Sequence, residues 1–148
     1  MGNFPNFPYP IPMIGPHQGK ELELMLAGKK HLAVFGDSVP ADDIILEEII
    51  PEKAFAPYVS RGEIIRISEE YLHPKDKIRI RQVCFASPGN EWRAQAYLWI
   101  HKESREGRLP YDDTHEYFVG RLLGYDEADI QHFTENMRKR KFPASAGN

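Results

Sequence analysis

The chain predicts an α+β fold: an antiparallel three- to four-stranded meander, helices packed mainly on one face, and a C-terminal helical hairpin. Three observations predict it. Strand-like runs over 63–71, 77–86 and 91–102 are joined by His73-Pro74-Lys75-Asp76 and Ser87-Pro88-Gly89-Asn90, both rich in turn formers. Joints this short cannot hold the crossover of a dozen or more residues that parallel strands need. Beyond residue 112 the apolar residues change to helical spacing, and 148 residues with 41% hydrophobic content suffice for one core.

Residues 1–16 form an arm with five prolines, Pro5, Pro8, Pro10, Pro12 and Pro16, which fix φ and exclude a helix. The prolines alternate with Phe4, Phe7, Tyr9, Ile11, Met13 and Ile14, more apolar surface than a solvated tail exposes. The arm is therefore expected to pack, on its own domain or on a neighbouring subunit. Its missing donors argue against addition to a sheet edge.

A single domain follows over 17–142, then a flexible tail over 143–148. Leu22, Met25 and Leu26 share a face of a helix over 18–27, with Gly28 as its C-terminal cap. Leu32-Ala33-Val34-Phe35 reads as a buried strand ended by Gly36, and a helix is expected to start near Ser38. Residues 43–50 fit a helix and a strand equally. Pro51 opens a short helix through Ala54, Phe55 and Tyr58.

In the third strand-like run, Trp92, Ala94, Ala96, Leu98 and Ile100 alternate with Arg93, Gln95, Tyr97, Trp99 and His101. Asp113 and Glu116 make a capping box for a helix striped by Phe118, Val119, Leu122 and Leu123. Gly124 ends it. Asp126 caps the last helix, with Ile130, Phe133 and Met137 on one face.

Net charge is −3, with six acids and no base from Asp37 to Glu52. That balance makes nucleic acid an unlikely partner. Cys84 is the only cysteine, so no intrachain disulfide forms, and its apolar neighbours make it a small hydrophobe. With no apolar run near 20 residues and no signal-peptide pattern, the expectation is a cytoplasmic protein away from membranes.

Four patterns bear on chemistry. Val34-Phe35-Gly36-Asp37-Ser38 resembles the nucleophile block of the SGNH (GDSL-type) hydrolases, Asp112-Asp113-Thr114-His115 has the spacing of their Asp-x-x-His, and Gly89-Asn90-Glu91 loosely matches their oxyanion block. The resemblance implies a serine esterase on a parallel α/β sheet, with Ser38 as nucleophile, His115 as base and Asp112 orienting it. Against it, Gly-Asp-Ser also suits a turn leading into a helix cap.

The C-terminal hairpin fits a helix-turn-helix. Its second helix would present Asp126, Glu127, Asp129 and Glu135 to DNA, so a structural hairpin is the better reading. The basic Arg138–Lys141 run suits a helix C-terminus. The six histidines show no i, i+4 pair and Val119 interrupts a His-Glu-x-x-His pattern. No metal and no cofactor is therefore expected, and Asp112, Asp113, His115 and Glu116 read as an acid-rich helix start.

Lastly, the outward stripe Arg93, Gln95, Tyr97, Trp99 and His101, joined by Arg79 and Arg81, combines the residue types enriched at binding hot spots. The sequence thus points to a small accessory protein without catalysis of its own, binding a protein partner or small ligand through that face. The stripe is also the expected receptor for the arm, whose docking would make a homo-oligomer, a dimer in the simplest case.

Overall fold

Three strands, β1 (Leu32–Ser38), β2 (Ile65–Leu72) and β3 (Arg79–Ala86), pair antiparallel in the order β1-β3-β2. This computed structural model describes residues 17–141, without the side chains of Phe133 and residues 136–141. The arm, the tail and the side chains of the Arg138–Lys141 run lie outside the described residues. Five helices complete the order: α1 (Glu21–Leu26), α2 (Glu52–Ser60), α3 (Glu91–Arg105), α4 (Asp113–Leu123) and α5 (Glu127–Lys141). None of the described helices is long and apolar enough to cross a membrane.

The β2–β3 hairpin forms where the turn residues placed it, closed by His73 N–H donating to the Ile78 carbonyl at 2.8 Å. The third strand of the sheet, however, is β1. Residues 91–102, expected as a strand, belong to α3. Their alternation is real but accidental. Glu91, Arg93, Ala94, Gln95, Ala96, Leu98 and Lys102 favour helix, and only Ile100 in this helix is β-branched. Ala94, Leu98, His101 and Arg105 then follow one another by a turn at a time, with Ala94 and Leu98 buried.

β3 runs buried from Ile80 apart from half-buried Arg81, so both its faces must be covered. On one side Val83 and Phe85 join Ala33, Met25, Ile50, Phe55 and Ile64, beneath α1 and α2. On the other, Cys84 and Ala86 join Leu32, Ala94, Leu98 and Leu122, beneath α3 and α4. The expectation of helices mainly on one face is thereby corrected: a strand this apolar at odd and even positions alike has no face for water. Phe55 stacks on Phe85 with centroids 4.0 Å apart, and Phe35 meets both edge-on at 6.0 Å.

Local signals set several boundaries. Gly28 (φ +74°) closes α1, with Lys29 N–H reaching the Leu24 carbonyl at 2.8 Å. Gly36 does not end β1, which continues to Ser38; no helix starts there, and residues 39–50 contain neither helix nor strand. Asp112, not Asp113, caps α4, its Oδ1 accepting from Thr114 and His115 N–H. Asp126 Oδ1 accepts from Asp129 N–H at the start of α5.

Lys30 is buried (2% exposed) and ties the sheet's first strand to the hairpin. Its Nζ donates to the Leu123 carbonyl at 2.6 Å and to His17 Nδ1 at 2.8 Å, 5.2 Å from the Tyr125 ring centre. Burial lowers its pKa from 10.5 to about 8. Because the unfolded chain holds that proton to higher pH, stability should rise as pH climbs from 8 towards 10.5. Lys30→Met should remove that rise, worth up to about 3 kcal/mol in denaturant titrations. Parallel profiles for the two proteins would show that Lys30 does not feel its burial.

The two C-terminal helices meet at Gly120, where a Cβ would stand 2.8 Å from Ile130 Cγ1. Alanine ordinarily improves on glycine inside a helix by about 1 kcal/mol. Here Gly120→Ala should instead cost roughly 1–3 kcal/mol in urea unfolding, from overpacking. Combined with Ile130→Ala, it should cost less than the sum of the two single changes. Additive costs would place the strain elsewhere.

Candidate functional site

Once residues 91–105 are a helix, the binding stripe expected from the sequence cannot be one surface. Gln95 and Trp99 point to solvent, Trp99 being 57% exposed. Tyr97 and His101 turn inward, with ring centroids 5.8 Å apart. Arg93 reaches the carbonyls of Arg121 and Leu122 at 3.3 Å, which secures α3 against the end of α4. Arg79 and Arg81 project from the opposite face of the sheet. There Arg81 meets Glu70 at 2.6 Å and Arg79 pairs with Glu70 and Asp43. Neither arginine joins the α3 residues.

The serine-hydrolase constellation is placed as follows. Ser38 ends β1, on the sheet face that α4 covers. Asp112 Oδ1 accepts from the Thr114 and His115 backbone N–H groups, and His115 Nδ1 has no hydrogen-bond partner. Among the described residues no hydrogen bond joins the side chains of Ser38, Asp112 and His115. Gly89-Asn90 follows Ser87, whose N–H donates to the His31 carbonyl at the other end of β1. That end lies roughly 23 Å from Ser38 at strand rise, too far to serve as its oxyanion hole.

What the structure does assemble is a buried polar cluster between α3, α4 and the far end of the sheet. Gln82, 1% exposed in the middle of β3, is hydrogen-bonded to the Tyr97 hydroxyl, while its own Oε1 has no partner. Tyr71 lies beneath the Arg105 guanidinium, 3.5 Å from the ring centre, and Arg105 meets Glu69 at 3.4 Å. Tyr111 stacks on His115 at 4.6 Å and hydrogen-bonds Glu116.

Desolvation governs the titration of this cluster. Burial pushes the Glu116 carboxyl up to about 6, and the Tyr111 hydrogen bond opposes it. Burial lowers His101 to about 4, with Arg105 and His115 acting in the same direction, and lowers His115 against the pull of Asp112. Burial also pushes the Cys84 thiol up to about 12, leaving it inert at neutral pH. Among the described residues, no three His, Cys, Asp or Glu side chains converge as a metal site.

A second feature was not legible in the chain. β1 is an edge strand, and its pairing phase decides which of its backbone groups are free. Val39 N–H donates to the Arg79 carbonyl and Ser87 N–H to the His31 carbonyl. Odd-numbered residues of β1 therefore bond β3, and the N–H and C=O groups of the even-numbered residues face away from the sheet. Leu32 is fully buried and Ser38 N–H donates to Asp37 Oδ1 at 2.8 Å, which leaves Val34 and Gly36 as the open positions. Val34, Phe35 and Gly36 line a groove of about 700 Å3, bounded by α1 and the approach to α2. Its walls carry Leu22, Ile49 and Tyr125, and four carboxylates, Glu21, Glu23, Glu47 and Glu48.

Compared with protein-family models, curated proteins and solved structures, the chain matches none.

The cluster makes opposing contributions to acid stability. His101 takes up a proton at a lower pH in the fold than unfolded, so its contribution is lost as pH falls from 6.5 to 4. Glu116 is the reverse: its contribution is present below 4.5 and lost as pH rises through 6. Relative to wild type, His101→Phe should gain stability as pH drops over the first window. Glu116→Gln should gain it as pH rises over the second, each by about 2–3 kcal/mol or less. Variants whose profiles run parallel to wild type would show these two groups to be solvated.

Proposed function

We propose that this chain is a binding protein without catalysis of its own, which takes up an extended segment of a partner polypeptide along the outer edge of β1. The observation that carries this reading is the pair of outward N–H and C=O groups on Val34 and Gly36, both lining the 700 Å3 groove. Unpaired strand edges bind extended chains through main-chain hydrogen bonds, and flanking pockets select the side chains.

The groove supplies both kinds of contact. Leu22, Ile49 and Tyr125 offer apolar surface, and the four carboxylates favour Lys or Arg in the incoming segment. Two of these acids are already engaged: Glu47 accepts from Lys53 and Ala54 N–H at the head of α2, and Glu21 from Gly19 N–H. Glu23 and Glu48 remain to meet a partner's charge. Gly36 is the one glycine in β1, so backbone can approach there without a side chain in the way.

Selection of displayed random twelve-residue peptides on the full-length protein should yield basic, extended binders. Their largest amide chemical-shift changes should fall at Val34 and Gly36. Glu23→Lys combined with Glu48→Lys should weaken binding at least about ten-fold, and rising salt should weaken it as well. Binders that leave the Val34 and Gly36 amides unmoved would overturn the reading.

A further inference from the structure

Resting on that reading of the β1 edge, we infer that the groove has a resident occupant: the chain's own proline-rich arm, residues 5–13, lying along β1 as a fourth strand that a partner segment must displace.

The arm starts at the groove. His17 is held by Lys30 Nζ at 2.8 Å and by the edge of the Tyr125 ring at 4.7 Å, and Gln18, Gly19 and Tyr125 line the groove beside Val34 and Gly36. Sixteen residues precede His17. Extended, they span about 53 Å, against roughly 23 Å for the seven residues of β1. The length suffices to run the whole edge, with Gly15-Pro16 left over as a connector.

Counted in total, the prolines leave the arm short of donors. Counted by side, they do not. In an extended strand the N–H and C=O of alternate residues point to opposite sides. Pro8, Pro10 and Pro12 are all even-numbered, and Phe7, Tyr9, Ile11 and Met13 are all odd-numbered. One side of the arm therefore keeps every donor and acceptor, matching the outward groups of Val34 and Gly36. The other side has no donor over 8–12, so the new edge is closed to further strands. Proline in this position is a known protection of sheet edges. Each odd residue but Met13 precedes a proline, which biases it towards the extended conformation that pairing requires.

Charge and composition agree. Residues 1–16 contain no acid, so nothing in the arm is repelled by Glu21, Glu23, Glu47 and Glu48. Phe7, Tyr9, Ile11 and Met13 need apolar cover, and the groove offers it. The basic partner segment would add the charge pairing that the arm lacks, which is how it could compete with a tethered occupant.

The test uses the full chain. Wild-type protein should show cross-strand nuclear Overhauser contacts between arm residues 7–11 and Val34 or Gly36. The Val34 and Gly36 amides should exchange with solvent at least about 50-fold more slowly than in the full-length Tyr9→Asp/Ile11→Asp variant, at any protein concentration. Exchange at Cys84 in the core should be equal in the two proteins. A groove-binding peptide selected as above should bind the variant at least about ten-fold more tightly than wild type. Equal, rapid exchange at Val34 and Gly36 in both proteins overturns the arm as occupant, as does protection that grows with concentration, which would assign the strand to a second copy. In either case peptide-induced shifts at Val34 and Gly36 would leave the binding reading standing, whereas loss of those shifts sinks the groove itself.

Discussion

β3 is bonded along both edges and covered on both faces, and the rest of the molecule follows from that one strand. Its odd residues need α1 and α2; its even residues need α3 and α4. A three-stranded antiparallel sheet can live with one face in water, but Val83-Cys84-Phe85-Ala86, fully buried, leaves no polar side to expose. The two helical layers are therefore consequences of four consecutive apolar residues in the central strand. So is the position of the edges, because a sheet of three strands has only one strand that is not an edge.

The same burial sets the cost of the polar groups that the layers enclose. Gln82 sits among these apolar residues, hydrogen-bonded to Tyr97 but with Oε1 unpartnered, and His115 leaves Nδ1 in the same condition. An unsatisfied buried polar atom costs about 1–3 kcal/mol. Lys30 is the better-compensated case: it loses hydration, yet its ammonium meets a helix-terminal carbonyl, an imidazole nitrogen and an aromatic face. Its partners belong to two separate stretches of chain, so one side chain, just ahead of the first strand, joins the start of the domain to the α4–α5 turn.

The two edges of the sheet are not equivalent. β2 carries Arg66, Ser68 and Glu70 on its exposed positions, with Arg66 doubly hydrogen-bonded to Glu52 at 2.8 and 2.6 Å. Charged and paired side chains of that kind discourage edge-to-edge association. β1 has Val34, Phe35 and Gly36 at its centre beside a groove with apolar and acidic walls instead. Such an edge invites another strand, and the binding proposed for it supplies a physical reason for tolerating that risk. The arm would cover it when no partner is present.

How much of this was legible in the chain depended on the range of the interactions involved. The β2–β3 hairpin, the glycine closures after α1 and α4, and the C-terminal helical pair were all readable, since turn formers, caps and periodic stripes act within a few residues. The 91–102 segment was misread because its apolar residues satisfy a period of two, while its helix-forming residues, equally visible, were outweighed by the pattern. The aromatic and arginine stripe failed with it. His115, Tyr97 and His101 were singled out from the sequence, but for a triad and a stripe. Their meeting with Gln82 and Glu116 rests on α3 and α4 crossing one sheet face, which no local signal states.

The β1 edge was hidden for a similar reason. The sequence by itself determined that β2 and β3 pair and where α1 and α4 close, because each is encoded by neighbours along the chain. Only the tertiary structure decided that β1 pairs with β3, that both faces of the sheet are covered, and which backbone groups of Val34 and Gly36 are left facing outward. Those outcomes depend on contacts between residues some fifty apart in the chain, where burial and pairing phase, not local preference, set the free energy.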